Sequence, residues 1–293
     1  MNSLQDKTGT NTPISQQAAS ELTIRSRLDG PIERLGLLGR SLLFAELSMI
    51  AYLRQGEAGK AAWTAGFGDI RYYERDGSQA YSFISETDHV IACRGTEPNE
   101  WNDIRADLDA TTAVAETLGR VHRGFKREVD DLWPLLQEAL ADNRRTLWFT
   151  GHSLGGAMAT ICAGRCLLSH IPSTPRQVYT YGSPRVGNKR YVNYTKIDYI
   201  RWVNNNDIVT RVPPLWMGYR HVGRLMYLNA HGKLRKLTPL QRGKDRWRGF
   251  VKGLREGRID YFTDHFIDNY VACIHREAIL AGEAPARPSD SAV

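Results

Sequence analysis

An apolar segment that runs directly into Gly151-His152-Ser153-Leu154-Gly155 constrains this chain more than any other feature. The segment, residues 146–150, is typical of a buried strand, and an apolar helix is predicted to follow from Leu154. A Gly-x-Ser-x-Gly pattern between a strand and a helix is typical of a nucleophile elbow. Small residues before and after the serine, including Gly156, let neighbouring backbone approach closely. Ser153 is therefore predicted to be a nucleophile.

The order of elements predicts an α/β fold with a mixed, mainly parallel sheet flanked by helices. From the second of five strand-like runs onward, strands alternate with helical stretches, which is typical of parallel sheets. A hairpin around Ile70–Ile84, with its turn at Asp76-Gly77, is expected to add antiparallel strands at one edge. The five strand-like runs are Gln79–Ser85, Val90–Cys93, Thr146–Thr150, Val178–Tyr181 and Tyr199–Val203.

With 293 residues, 42% of them hydrophobic, the chain is long enough for one large α/β core. We expect a single α/β domain over residues 14–280. Polar composition predicts flexible tails at residues 1–13 and 281–293.

A serine hydroxyl is a weak nucleophile at neutral pH, so Ser153 requires a base and an acid that orients the base. The expected chain order is serine, acid, histidine. Asp207 follows the strand 199–203 in a loop and is predicted to be the acid, although an aspartate there also suits a turn cap. His265 is predicted to be the base because it follows all predicted strands and precedes a closing helix; His221 is the reserve candidate.

Two backbone amides are expected to stabilise an oxyanion at this site. The first belongs to Leu154, directly after the nucleophile. The second belongs to Thr96, which follows the apolar strand 89–93 within Arg94-Gly95-Thr96 and also offers its hydroxyl.

Taken together, these motifs resemble the class 3 (fungal-type) lipases of the α/β-hydrolase superfamily, over roughly residues 40–278. The resemblance implies hydrolysis of lipid acyl esters through an acyl-enzyme, with the same nucleophile, acid, base and oxyanion donors. The motifs that carry it are Val90–Thr96, Trp101 with Asp103 and Asp107, His122–Phe125, Gly151–Gly156, Tyr181–Asn188, Asn206–Val209, Pro213-Pro214 and Asp264-His265.

Three alternatives to a lipase remain open. A phospholipase A1 acting on anionic membranes is favoured by the basic segment described next, and an esterase for short or aromatic acyl groups by the polar stretch 97–109. The third is an inactive lipid-surface binding protein built on a hydrolase fold, because a fold alone does not guarantee chemistry.

A basic segment, residues 231–258, holds ten Lys or Arg against two acids, while the rest of the chain is close to neutral. Its apolar residues recur at helical spacing, which predicts an amphipathic helix inserted between acid and base. The helix either packs on the domain or docks on an anionic membrane. Nucleic-acid binding is not expected, because no motif that stacks on or reads bases is present. The predicted membrane contacts are Trp247, Phe250, Arg246, Arg248 and Lys252.

The remaining features predict few additional partners. Four cysteines lie in apolar strands or helices and are expected to be buried thiols, so no metal and no cofactor is predicted. The beginning of the sequence does not have the pattern of a secretory signal, and the longest apolar stretch, 42–53, is too short to span a bilayer. A cytoplasmic or peripheral membrane location is expected; the oligomeric state is left open.

Overall fold

The computed structural model describes residues 23–95, 111–255 and 263–284, with backbone alone for 249–255 and 263. The helices are α1 (Leu37–Ile50), α2 (Gln55–Ala65), α3 (Arg123–Leu140), α4 (Leu154–Cys166), α5 (Lys189–Tyr194), α6 (Pro239–Arg255) and α7 (Ile267–Leu280). The strands are β1 (Asp69–Arg75), β2 (Ser78–Ile84), β3 (Asp88–Cys93), β4 (Thr112–Val114), β5 (Arg120–His122), β6 (Thr146–His152), β7 (Pro175–Tyr181), β8 (Gly187–Asn188), β9 (Asp198–Asn204), β10 (Tyr219–Arg220) and β11 (Arg224–Leu228). Short 3-10 helices span Ile32–Arg34, Val209–Arg211, Leu215–Met217 and Thr263–His265.

The main sheet confirms the predicted mixed α/β architecture. Within the described residues, its strands lie in the order β1-β2-β3-β6-β7-β9-β11, parallel from β3 to β11 and antiparallel at β1 and β2. Strands β3 and β6 are buried almost throughout, as expected of central parallel strands covered on both faces. Their register pairs Cys93 with Gly151, so the loops that follow these two strands leave the sheet side by side.

The edge hairpin has a local cause. Asp76 and Gly77 both adopt positive φ, 51° and 87°, as a two-residue turn matched to strand twist requires. The turn pairs Arg75 with Ser78 and fixes the register of β1 against β2. The predicted hairpin and its turn are thereby confirmed.

Two hydrophobic layers cover the sheet. Helices α1, α2 and α7 contribute to the core cluster that contains Trp148 and Trp202, whereas α3 and α4 contribute to the cluster that contains Phe149 and Val178. Adjacent positions of one strand thus serve opposite layers, as the alternation of side chains in a strand requires. All four cysteines are buried free thiols.

The basic segment forms a helix that begins at Pro239, so residues 231–238 are not helical. Thr238 and Gln241 explain the start, because each side chain accepts a hydrogen bond from the other's backbone amide, at 2.9 and 3.3 Å. This reciprocal pair is a capping box, with proline at the first helical position. In the described part of the chain, no helix combines the length and apolar character needed to cross a bilayer.

The predicted N-terminal tail, residues 1–13, lies outside the described residues. The C-terminal tail was predicted to begin at 281, and this boundary is wrong for 281–284. The Glu283 carboxylate accepts hydrogen bonds from the amides of Leu38 and Gly39, at 2.7 and 2.9 Å, in the first turn of α1. Sequence spacing missed this anchor because the cap comes from a residue 245 positions away. Residues 285–293 lie outside the described residues.

We expect Glu283→Ala to lower the free energy of unfolding by about 1 kcal/mol, because α1 would lose both a capping acceptor and a negative charge at its N-terminus. Urea denaturation followed by circular dichroism measures the change. Glu86→Ala, at an exposed position in the turn between β2 and β3, is the matched control. Equal stability of the two variants would contradict the capping role.

Candidate active site

The turn between β6 and α4 holds Ser153 in a conformation that few residues adopt. Its φ is 59° and its ψ is −131°, which is strained for a residue with a side chain. The Ser153 amide donates to the Tyr181 carbonyl at 2.9 Å, and the Ser153 carbonyl accepts from the Gly156 amide at 3.0 Å. These hydrogen bonds hold the turn, so the hydroxyl is fixed at the carboxyl edge of the sheet.

Two glycines make this turn sterically possible. A Cβ on Gly155 would lie within 3.0 Å of the Cys93 carbonyl oxygen, and a Cβ on Gly151 would lie within 3.0 Å of the Gly155 backbone. Both neighbours are backbone atoms, so no side-chain rotation could relieve the overlap. The elbow pattern therefore reflects the close approach of α4 to β3 and β6.

Ser153, His265 and Asp207 come together although they are far apart in sequence. His265 Nε2 lies 2.9 Å from Ser153 Oγ, and His265 Nδ1 lies 2.9 Å from Asp207 Oδ2. All three side chains are buried, with at most 1% of any residue exposed. A carboxylate beside Nδ1 requires a proton on that nitrogen, which leaves Nε2 free to accept the serine proton. This is the geometry of a nucleophile, a base and an orienting acid.

Asp207 is held from several sides. Its Oδ2 also accepts a hydrogen bond from the Tyr270 hydroxyl at 2.6 Å, and its Oδ1 accepts one from the Val209 amide at 2.9 Å. The Tyr270 oxygen in turn accepts from the Asn204 amide at 2.9 Å. Burial and the Asp207 carboxylate raise the pKa of Tyr270 well above its ordinary value, so the phenol remains a donor. Sequence reasoning missed Tyr270; its position in the first turn of the helix after His265 was the available signal.

His152, predicted only as an elbow position, supports the base from behind. Its Nε2 lies 2.7 Å from the His265 carbonyl oxygen, and its Nδ1 lies 2.9 Å from the Tyr52 hydroxyl. Because a carbonyl only accepts, Nε2 carries the proton and Nδ1 accepts from Tyr52. Burial and the adjacent His265 hold the pKa of His152 well below its ordinary value, so the ring stays neutral.

Of the two predicted oxyanion donors, the structure describes Leu154 but not Thr96. Leu154 begins α4, where backbone amides have no partner within the helix and carry the positive end of the helix dipole. Thr96 lies outside the described residues, so its role stays a prediction. The preceding Gly95 is buried beside the elbow, where a Cβ would lie 2.6 Å from the His152 carbonyl oxygen and 3.2 Å from Ser153 Cβ. The loop that leads to Thr96 therefore passes the serine.

His221, the reserve candidate for the base, is engaged elsewhere. Its Nε2 lies 2.8 Å from the Thr210 carbonyl oxygen, and the Thr210 hydroxyl donates to the Asp207 carbonyl at 2.8 Å. Burial, followed by the charges of Arg201 and Arg185, holds the pKa of His221 well below its ordinary value. His221 thus stabilises the loop that carries Asp207. The Ser153 hydroxyl hydrogen bonds to His265 and not to His221. Among the described residues, no group of three or more ligating side chains is placed to hold a metal ion.

The family model for class 3 lipases matches residues 90–217, which contain the elbow and the acid. Over these residues the chain is similar to class 3 lipases. Among curated relatives, this chain is 41% identical to a lipase of Rhizopus oryzae over 115 residues, 36% of this chain and 29% of that one. It is 36% identical to the secreted mono- and diacylglycerol lipase 1 of Fusarium solani over 157 residues, 51% and 39% of the two chains. It is 31% identical to the toxin TseL of Vibrio cholerae over 191 residues, which are 50% of this chain and 30% of that one.

Matches to these curated relatives span about a third of their length. Solved structures are matched more fully. The chain aligns with the triacylglyceride lipase of Rhizomucor miehei at a TM-score of 0.59 and 25% identity, covering 65% of this chain and 80% of that one. It aligns with a triacylglycerol lipase whose catalytic centre is described as a serine protease triad at a TM-score of 0.58 and 27% identity, with the same coverage. The α/β-hydrolase fold is thereby confirmed.

Gly155→Ala tests the packing of the elbow, and Gly59→Ala is the matched control. We expect Gly155→Ala to lower the free energy of unfolding by about 1–3 kcal/mol or more, because the new methyl group overlaps backbone. Gly59 lies in α2 with nothing within 4 Å of the site of a Cβ. The same substitution there should raise stability by up to about 1 kcal/mol through helix propensity. Urea denaturation measures both, and shifts of the same sign would refute the steric explanation.

Proposed function

We propose that this chain hydrolyses carboxylic esters of lipids through an acyl-enzyme on Ser153. The observation that carries the proposal is the continuous hydrogen-bond chain from Asp207 through His265 to Ser153 Oγ, with both distances at 2.9 Å. The match to the class 3 lipase model and the lipase relatives support a lipid acyl ester as the substrate class.

In the acylation half, Ser153 Oγ attacks the ester carbonyl carbon while His265 Nε2 takes the hydroxyl proton. The carbonyl oxygen becomes an oxyanion, which the Leu154 amide and, as predicted from sequence, Thr96 stabilise. Collapse of the tetrahedral intermediate breaks the bond to the alcohol, and the alcohol leaves with the proton from His265. Asp207 holds the imidazole in the required tautomer and stabilises its transient positive charge.

In the deacylation half, water replaces the alcohol. His265 takes a proton from water as the water oxygen attacks the acyl carbon, and it returns this proton to Ser153 Oγ when the carboxylic acid leaves. Tyr270 and the Val209 amide keep the Asp207 carboxylate in place throughout. This intact relay argues against an inactive lipid-binding protein, for which no such geometry is required.

The first test compares the two histidines. We expect Ser153→Ala and His265→Ala each to lower kcat on p-nitrophenyl esters by about 10⁴- to 10⁶-fold, because proton transfer and nucleophilic attack act as one unit. His221→Ala should retain far more turnover, since this ring contacts the acid loop and not the serine. Full loss of activity in His221→Ala with activity retained in His265→Ala would reverse the assignment. Turnover of p-nitrophenyl esters with graded acyl-chain lengths separates a lipase from a short-chain esterase.

A second candidate, phospholipase A1 activity at anionic membranes, is favoured by the surface of α6. Trp247 is 66% exposed and Leu240 is 72% exposed, so neither packs into the core. Lys244 and Arg248 are exposed on the same helix. The predicted contacts Phe250 and Lys252 belong to residues described by backbone alone. Large exposed apolar groups among cations suit the interface of an anionic bilayer. Membrane contact by α6 and a peripheral membrane location are parts of this proposal.

The membrane proposal is tested by charge reversal. Lys244→Glu with Arg248→Glu should weaken binding to phosphatidylserine-containing vesicles by roughly 30-fold or more at low salt, because each cation contributes about 1 kcal/mol. Lys60→Glu with Arg75→Glu changes the net charge equally at exposed positions outside α6 and is the control. Co-sedimentation measures binding, with phosphatidylcholine vesicles as the neutral surface. Equal loss in both double variants would point to net charge alone.

A further inference from the structure

Six arginines lie within electrostatic range of one another near the loop that carries Asp207, and we refer to them as the arginine cluster. They come from the loop after β7, from β9, from the 3-10 helix after the acid, from β10 and from α6. The cluster consists of Arg185, Arg201, Arg211, Arg220, Arg242 and Arg246.

Backbone contacts hold several of these side chains to one region. The Arg185 guanidinium donates to the Arg211 carbonyl and, at 2.8 Å, to the Pro213 carbonyl. Arg246 Nε donates to the Asn205 carbonyl at 3.2 Å, and an Arg211 amino group donates to the Asn206 side chain at 3.2 Å. Arginines from a loop, a 3-10 helix and α6 therefore all contact residues 205–213.

Arg201 lies in the middle of β9, between Thr180 of β7 and Leu225 of β11 in the sheet register. Its Nε is buried without a hydrogen-bond partner. Burial and the charges of Arg185, Arg242 and Arg246 lower the pKa of Arg201 to about 10. The guanidinium is still protonated at neutral pH, so a charge is kept in an electropositive, partly desolvated position.

The cluster lacks an ion-paired carboxylate among the residues described. None of its six members forms an ion pair there; their hydrogen bonds go to carbonyl or amide oxygens. Buried Arg165 is treated differently in the same chain, since Glu116 and Asp130 both pair with it. Buried cations normally carry such partners.

The nearby carboxylates are already engaged. Asp207 accepts from His265 and Tyr270, and Asp245 of α6 accepts from the Tyr227 hydroxyl at 2.9 Å and the Ala230 amide at 3.1 Å. With the carboxylates of the described residues engaged in this way, an external anion is a suitable partner for the cluster. Phosphate suits it best, because its oxygens accept from several planar guanidinium groups at once.

We propose that the arginine cluster is a binding site for a phosphate group, with Arg201 as its central ligand. Arg185, Arg242 and Arg246 lie near enough to Arg201 for their charges to lower its pKa, and exposed Arg220 lies near Arg185, so the anion would be held by cations from different elements. The phosphate belongs either to a lipid headgroup or to a free phosphate ion. The headgroup assignment rests on the proposed ester hydrolase function, whereas the site itself does not.

Inorganic phosphate is the first probe, and the melting temperature of the whole chain is the readout. Phosphate should raise Tm of the wild type above the value in chloride of equal ionic strength, because a ligand that binds the folded state stabilises it. Arg201→Met should lose most of this rise. In chloride its Tm should equal or exceed that of the wild type, because an unpaired, partly buried charge has been removed.

Arg224→Met is the matched control, since Arg224 is exposed on the adjacent strand β11 and outside the cluster. It should keep the full response to phosphate, whereas Arg220→Met, a surface member of the cluster, should reduce the response without loss of folding. An equal phosphate shift in the wild type and Arg201→Met, or no shift in the wild type, would overturn the proposal.

Lipid hydrolysis then separates the two sources of phosphate. If a headgroup binds, Arg201→Met should lower fatty-acid release from phosphatidylglycerol vesicles about tenfold more than release from diacylglycerol, as expected for one lost charge-assisted hydrogen bond. An unchanged ratio with loss of the phosphate-induced Tm shift assigns the site to free phosphate. If the wild type hydrolyses neither lipid, the proposed function fails, but the Tm measurements still decide whether the site exists.

Discussion

The hydrogen bonds on either side of the His265 ring are the interaction on which the rest of the structure depends. One partner, Ser153, comes from a strained turn between a central strand and a helix, and the other, Asp207, from the loop after a later parallel strand. Parallel strands bring the two loops to one edge of the sheet. The histidine arrives from outside the sheet, on the 3-10 helix before α7, and closes the gap between them.

Sequence predicted the parts of this arrangement that leave a local signal. The elbow can be predicted from sequence because close approach of neighbouring backbone requires glycine at positions near the serine. The parallel strands are readable because they form continuous apolar runs, and chain order then selects Asp207 and His265. Tyr270 and Tyr52 leave no comparable signal, since a buried tyrosine is a core residue until its hydroxyl is seen against Asp207 or His152. The same holds for Glu283, whose carboxylate caps a helix at the other end of the chain.

The structure shows more of how the chain's positive charge is distributed than its composition does. Composition located it in one segment, residues 231–258, and predicted a helix there. The structure adds that Trp247 of this helix is largely exposed and that the helix attaches partly through Asp245 and Arg246. It also unites Arg242 and Arg246 with arginines from earlier strands and loops. No window along the sequence contains that group, because its members are up to 61 positions apart.

The grip of His152 on the His265 carbonyl restricts how the base can move. The hydrogen bond ties the main chain of His265 to the residue next to Ser153 and so restrains its position relative to the nucleophile. In the proposed reaction, small rotations of the imidazole about its own χ angles would then be enough to pass a proton from the serine oxygen to the departing alcohol. The backbone would then keep its position while only the imidazole rotates, and this keeps the reorganisation needed at each turnover small.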